Sequence, residues 1–247
     1  MSQFIFGAGM MIAIPKKPTP TPRVLGTMQE VSVEFSGSTK ELFGQHQFAE
    51  AVARGQQKIA CKAKYAGINM NVYNETYFNE NVLQGQNLAI FNKEFAVDKT
   101  AFTVTPTLEA NTTFLENLGV LDNAGKTLTR VDGAPNEGEY KLDEKTGMYT
   151  FHASLKEKPV FISYLYHDKK NGSRIIINNQ LMGEAPTFKT ILNARFNGKQ
   201  TTLILNSCTS SKLSLISTKL EDFSIPEFDF AAMADDTNRV GELSMLE

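Results

Sequence analysis

KIACKAKY, residues 58–65, alternates along its whole length: Ile59, Cys61, Ala63 and Tyr65 fall on one side, and Lys58, Lys62 and Lys64 on the other. Successive side chains of an extended chain point to opposite faces, so a period of two in polarity marks a strand with one covered face. A row of lysines on the open face is a phosphate track, or it is a solvated face or a guarded edge. The second reading is the ordinary one unless carboxylates face the row. Upstream, VSVEF (31–35) has the same period, with Val31, Val33 and Phe35 on one side and Ser32 and Glu34 on the other.

Strand signals continue downstream in AFTVT (101–105), TLTRV (127–131), MYTF (148–151), VFISYLY (160–166), SRIIIN (173–178), TFKTILNARF (187–196), TTLILN (201–206) and KLSLIS (212–217). DNAG (122–125), DGAPNEGEY (132–140), KNGS (170–173) and FNGK (196–199) read as turns or hairpin tips, because Gly and Asn accept the positive φ that tight turns need. One stretch breaks the pattern. From Ile68 to Asn79, Met70, Tyr73 and Tyr77 repeat at helical spacing beside Ile68 and Val72, which predicts a short helix packed on a sheet. The fold class is therefore mainly β, a sandwich or barrel with one packed helix.

At 247 residues such a chain can bury roughly 75% of its extended-chain surface. With 17 phenylalanines and no tryptophan, Phe dominates the packing. The net charge of −2 lacks the basic excess that binds phosphates by counterion release. Cys61 and Cys208 belong to no CxxC or Cys/His cluster and read as reduced, buried thiols.

The stretch FIFGAGMMIAI (4–14) is apolar, but it lacks a preceding basic residue and is too short to span a bilayer. It reads as neither signal peptide nor membrane anchor. Gly7-Ala8-Gly9 has no third glycine or helix start and is no dinucleotide fingerprint. Prolines at 15, 18, 20 and 22 make the next segment stiff and extended, separating an N-terminal arm (1–23) from the body (24–220).

Catalytic chemistry has thin support. His46, His152 and His167 form no HxH or HExxH arrangement, and the serines of NSCTSSKLSLIST (206–218) sit in no GxSxG elbow or SxxK motif. That serine stretch reads as strand, turn, strand. The expectation is a protein without catalytic residues, cofactor or metal.

The segment EDFSIPEFDFAAMADD (221–236) holds six carboxylates and three phenylalanines and has no basic residue. Phe223 and Ile225 are at odd positions, Phe228 and Phe230 at even ones, with Pro226 at the change. This predicts an extended C-terminal segment (221–247) that packs on one surface, bends, and packs on another. Phe223, Ile225, Phe228 and Phe230 are the candidate inter-subunit contacts. The open alternative is that 221–230 completes the chain's own sandwich.

FGAG near the start, GTMQEVSVEFSGSTKELFGQHQFAEAVARGQQKIACKAKYAGI (26–68), GEYKLDEKTGMYTF, VFISYLY, NQLMGEAPTFK and KLEDFSIPEFDFAAMADDTNRVGELS, taken in order, resemble the major tail, or tail tube, proteins of tailed bacteriophages. The resemblance implies a β-sandwich-like subunit with a packed helix. Six such subunits form a ring whose joined sheets make a closed barrel, and rings stack into a hollow conduit for DNA ejection. About 119–158, rich in turns, reads as an elaboration on that fold. The implied partners are other copies of the chain, the tail terminator, baseplate or tip proteins, a sheath where the tail has one, and phage DNA in weak, non-specific transit, with no membrane. The implied location is the virion tail, assembled in the host cytoplasm. A near-neutral charge fits a conduit that must not hold DNA. Other readings are a capsid decoration or tail-terminator subunit, or a β-sandwich carbohydrate-binding protein or enzyme.

Overall fold

The computed structural model describes residues 4–67, 69–106, 109–218 and 220–246. In chain order these form β1 (Met10–Pro15), β2 (Arg23–Leu25), β3 (Thr27–Phe43), β4 (Ala49–Ala66), a helical turn α1 (Met70–Tyr73) that widens into a π-turn (Asn74–Phe78), and β5 (Leu83–Ala96). Then come β6 (Thr103–Val104), β7 (Thr112–Leu121), β8 (Thr129–Arg130), β9 (Glu139–Asp143), β10 (Met148–Phe151), a 3-10 turn (Ala153–Leu155) and β11 (Pro159–Arg174). The last four strands are β12 (Thr187–Phe196), β13 (Lys199–Ser214), β14 (Glu227–Met233) and β15 (Gly241–Met245). The fold is mainly β with one short helix, as the alternating sequence requires. Ile68, the first residue of the expected helix, lies outside the described residues. The observed helix begins where Asn69 accepts hydrogen bonds from the amides of Asn71 and Val72.

The chain divides into two compact units, one from Val82–Arg174 and one from the chain on either side, Met1–Asn81 with Ile175–Glu247. The body expected at 24–220 is thus split between them, and the turn-rich stretch 119–158 falls inside the inserted unit.

In the outer unit, a sheet of order β2-β1-β12-β13-β14-β4-β3, with β15 also on β13, is antiparallel throughout. One face carries the core. Met11, Ala13, Leu25, Cys61, Tyr65, Phe188, Leu205, Cys208, Phe228 and Phe230 are buried there together with Val72 and Tyr73 of the helix. KIACKAKY lies within β4 and turns its apolar side to this core, as its alternation predicts. FNGK is the two-residue turn between β12 and β13, with Phe196 opposite Lys199 and positive φ at Asn197 (49°) and Gly198 (75°). That pair of φ values is what the right-handed twist of a hairpin demands, and Asn-Gly meets it with little strain.

Several expectations are corrected here. Met10–Pro15 is no arm: β1 pairs with β12 over its whole length, and Met11 and Ala13 are fully buried. The proline-rich stretch is a loop that turns the chain back so that β2 pairs with β1. The serine stretch from 206 continues β13 without a turn, because its residues pair with β14 on one side and β12 on the other. SRIIIN is strand only to Arg174.

The inserted unit has two sheets, β5-β11-β7 and β6-β10-β9-β8, the pair β8–β9 being parallel. KNGS, expected as a hairpin tip, is a bulge inside β11, where the register with β5 jumps between Asp168 and Ser173. The Asp168 carboxylate accepts the Lys170 and Asn171 amides there and closes a local turn. The core of this unit is aromatic, with Tyr140, Tyr149, Phe151 and Tyr164 buried beside Phe114. Asn117 satisfies two of the hydroxyls: its Nδ2 donates to Tyr140 Oη (2.8 Å), and its Oδ1 accepts from Tyr149 Oη (3.1 Å).

Candidate assembly surfaces

The four residues singled out in the acidic C-terminal segment part company. Phe228 and Phe230 are 1% exposed. Their ring centroids are 5.4 Å apart and lie 5.9 and 5.7 Å from that of Phe188. They belong to the unit's own core, because β14 runs between β4 and β13 with Phe228 opposite Ala63 and Phe230 opposite Cys61. An arm role for these two is corrected accordingly, in favour of the alternative that this part of the segment completes its own sheet. Ile225 is half-buried. Phe223 is 87% exposed, at the tip of the loop between β13 and β14. The parity change at Pro226 is thus a passage from loop to central strand.

A larger apolar surface lies on β3 and β4. β14 pairs with β4 only from Ile59 to Lys64, so 35–43 and 49–58 pair with each other alone. They project as a two-stranded ribbon, about 30 Å long at the usual rise per residue. Phe35 faces the same side as Val31 and Val33, as the alternation predicts, yet it is 65% exposed because, among the described residues, no strand or helix covers that part of β3. Leu42, Phe43, Phe48 and Val52 are also exposed, Phe48 at 84%. These residues were missed from sequence. The signal was present in the length of the segment 27–66, which no proline interrupts and which is too long for strands that end with the sheet.

The lysine row of β4 meets carboxylates. In register, Lys64 stands between Glu30 of β3 and Glu227 of β14, and Lys62 stands opposite Asp229. Lys64 Nζ lies 2.7 Å from Glu30 and 4.0 Å from Glu227, which also holds Lys212 at 3.0 Å. The hydrogen bond from Lys212, with its charge, holds the Glu227 carboxyl below its ordinary range, and the bond to Glu30 raises Lys64. Carboxylates therefore interleave with Lys62 and Lys64 on this part of the open sheet face, whereas Lys58, further along β4, stands opposite Ser36.

Two further clusters fix the edges of this unit. Glu75, at the start of the π-turn, accepts from Arg23 Nε (2.8 Å) and Nη2 (3.2 Å) and from Lys17 Nζ (2.7 Å), which clamps the proline-rich loop to the helix. Burial opposes the charge on Glu75, but the hydrogen bonds from Arg23 and Lys17 outweigh it and hold the carboxyl below its usual value. Asp235 accepts from the Thr237 hydroxyl and amide, the Arg239 amide and Asn206 Nδ2, and its carboxyl is held down to about 2. That turn returns the chain so that β15 pairs with β13 from Thr201 to Leu205.

The histidines stay apart. His152 caps the 3-10 turn by accepting the Ser154 amide, His167 is hydrogen-bonded to Asn87, and His46 is exposed in the ribbon's loop. Cys61 and Cys208 are both buried and free, as expected. Among the described residues no helix is long and apolar enough to cross a membrane. No protein-family model and no curated protein sequence matches the chain.

Proposed function

We propose that this chain is a structural virion protein, a tail tube subunit that polymerises into stacked six-membered rings and forms the conduit through which DNA is ejected. Its primary partner is another copy of itself. Tail terminator and baseplate or tip proteins meet the ends of the tube, and DNA passes through without being held. In this reading the protein works without a catalytic centre or cofactor, in the virion tail, after assembly in the host cytoplasm.

The observation that carries the reading is the β3–β4 ribbon. A two-stranded hairpin standing alone in water is marginal at best, and a surface that keeps Phe35, Leu42, Phe43, Phe48 and Val52 exposed is the kind of patch that marks a protein–protein contact. Covering it with a neighbour removes both costs. The ordered sequence resemblance supplies the identity of the assembly. The carboxylates set around Lys62 and Lys64 agree with a subunit that does not grip phosphates there, since each counterion-releasing contact would slow passage.

The test is negative-stain electron microscopy of the purified protein at increasing concentration, with and without a tail-tip complex as nucleus. Hollow tubes of uniform diameter are expected. A Phe48→Lys variant is expected to stay dispersed while melting within about 0.5 kcal/mol of wild type, as exposed-site substitutions do. A protein that remains monomeric under every condition, by both imaging and sedimentation, would overturn the proposal.

A further inference from the structure

We infer that self-association belongs to the outer unit alone, and that Val82–Arg174 is a self-contained module that takes no part in it. The inference rests on the self-assembly reading and names the part of the chain that carries it. Inside the module, the first and last strands meet at their ends, with Leu83 opposite Arg174 and Gln84 opposite Ser173. Inside the outer unit, the two chain ends that flank the module are tied to each other. Asn178 Nδ2 donates to the Glu80 carboxylate (2.9 Å), and Gln180 Nε2 donates to the Phe78 carbonyl (2.8 Å). Each unit therefore holds its own ends together without help from the other, and close ends are what allow a domain to be inserted into a host fold or removed from it. The interior of the module is also its own: the cluster around Val120, Tyr149, Ile162 and Tyr164 is drawn wholly from its residues, and Ser163 Oγ accepts the Asn92 amide (3.0 Å) across β5 and β11.

The surfaces divide in the same way. Exposed large apolar side chains recur along the outer unit: Phe6 before β1, Phe48 in the ribbon, Leu181 between β11 and β12, Phe223 between β13 and β14, and Leu243 on β15. The Leu181 segment is held in a set conformation. Gln180 beside it is anchored to Phe78, and the Glu184 amide donates to the Leu181 carbonyl (3.2 Å), which closes a turn that presents Leu181 and Met182 to solvent. Among the described residues the module exposes only Val82 at its first position, Phe91 on β5, and Leu115 and Leu118 on β7, and β11 runs between those two strands. Apolar side chains scattered over a surface are ordinary in monomeric proteins, whereas contiguous patches mark contacts. Removing the module leaves every exposed apolar segment of the outer unit in place, so different surfaces for head-to-tail association remain on that unit.

The experiment starts from the full chain. Phe91→Lys and Leu118→Lys, each at an exposed position of the module, are expected to form tubes at a threshold concentration within about twofold of wild type, as surface substitutions away from a contact do, in contrast to Phe48→Lys. A second protein carries the recognition sequence of a site-specific protease at both junctions, between Asn81 and Val82 and between Arg174 and Ile175. After assembly and cleavage the tubes are expected to sediment as before, while residues 82–174 stay in the supernatant and keep a cooperative melting transition. A third protein, with 82–174 replaced by a short Gly-Ser linker, is expected to form tubes. Tubes that fall apart on cleavage, a fragment that stays in the pellet or loses its transition, or loss of tubes in Phe91→Lys at an unchanged melting temperature would each overturn the inference. If the inserted sites block assembly, the linker protein decides: failure of both while wild type assembles overturns the inference and leaves self-assembly standing. If wild-type protein never assembles, the self-assembly reading falls and takes the assignment to the outer unit with it. Separation of the cut monomer into two folded fragments then still supports the module, and fragments that do not separate overturn it.

Discussion

Replacing Phe228 or Phe230 by alanine should damage folding of the dissociated subunit. Both rings are 1% exposed and packed, tilted, against Phe188 in the centre of the eight-stranded sheet. A buried Phe→Ala change costs about 3–5 kcal/mol, the sum of lost transfer free energy and the cavity left behind. In a unit of roughly 150 residues each kcal/mol lowers Tm by about 2–4 °C, so the expected drop is about 6–20 °C. Phe223→Ala, at an exposed position in the same segment, should change stability by no more than about 0.5 kcal/mol. The assay is calorimetry of the dissociated subunit, which reads the outer unit's transition beside that of the inserted unit as an internal control. The double variant should lose less or more than the sum of the singles, because the two rings touch. A loss below about 1 kcal/mol for Phe228→Ala and Phe230→Ala, with tube formation abolished, would refute the placement of β14 in the core.

Asn117→Leu should destabilise the inserted unit, since the Tyr140 and Tyr149 hydroxyls lose their shared partner, at about 1–3 kcal/mol for each group left unsatisfied; chemical denaturation monitored by tyrosine fluorescence checks this. Glu75 has a lowered folded pKa, so its contribution to stability is complete above the unfolded value of about 4.3 and is lost as pH falls through the folded value. Glu75→Gln should therefore be less stable than wild type at neutral pH, by about 1–3 kcal/mol, and the gap should close in acid, as read from melting curves across pH. Burial pushes the Cys61 thiol up to about 12 and that of Cys208 to about 11, so neither should react with an aromatic disulfide reagent at pH 8 until denaturant opens the outer unit.

Much of this architecture is local and was readable as such. Alternation in KIACKAKY places Ile59, Cys61, Ala63 and Tyr65 on one face because the pleat of a strand leaves no other arrangement. TFKTILNARF is β12 residue for residue, and Asn197-Gly198 is its turn because few other residue pairs adopt two consecutive positive φ values. The helical spacing of Met70, Tyr73 and Tyr77 located the one helix, and the lack of clustered sulfur placed Cys61 and Cys208 as separate buried thiols.

Other features depended on which strands became neighbours, and no local pattern encodes that. EFDFAAM has the same alternation whether it inserts between β4 and β13 or lies on another molecule, and only the sheet order puts Phe228 and Phe230 beside Phe188. Phe35 continues the apolar row of Val31 and Val33, yet it is exposed because β14 stops pairing with β4 at Ile59. Asn171-Gly172 carries the same turn chemistry as Asn197-Gly198, but β11 pairs with β5 both before it, at Asp168, and after it, at Ser173, so the would-be tip becomes a bulge. Lys62 and Lys64 met carboxylates only when β3 and β14 brought Glu30, Glu227 and Asp229 across from them. Period and turn chemistry act over a few residues, whereas strand order is settled by the whole sheet competing for one buried face, and that competition exists only in the folded chain.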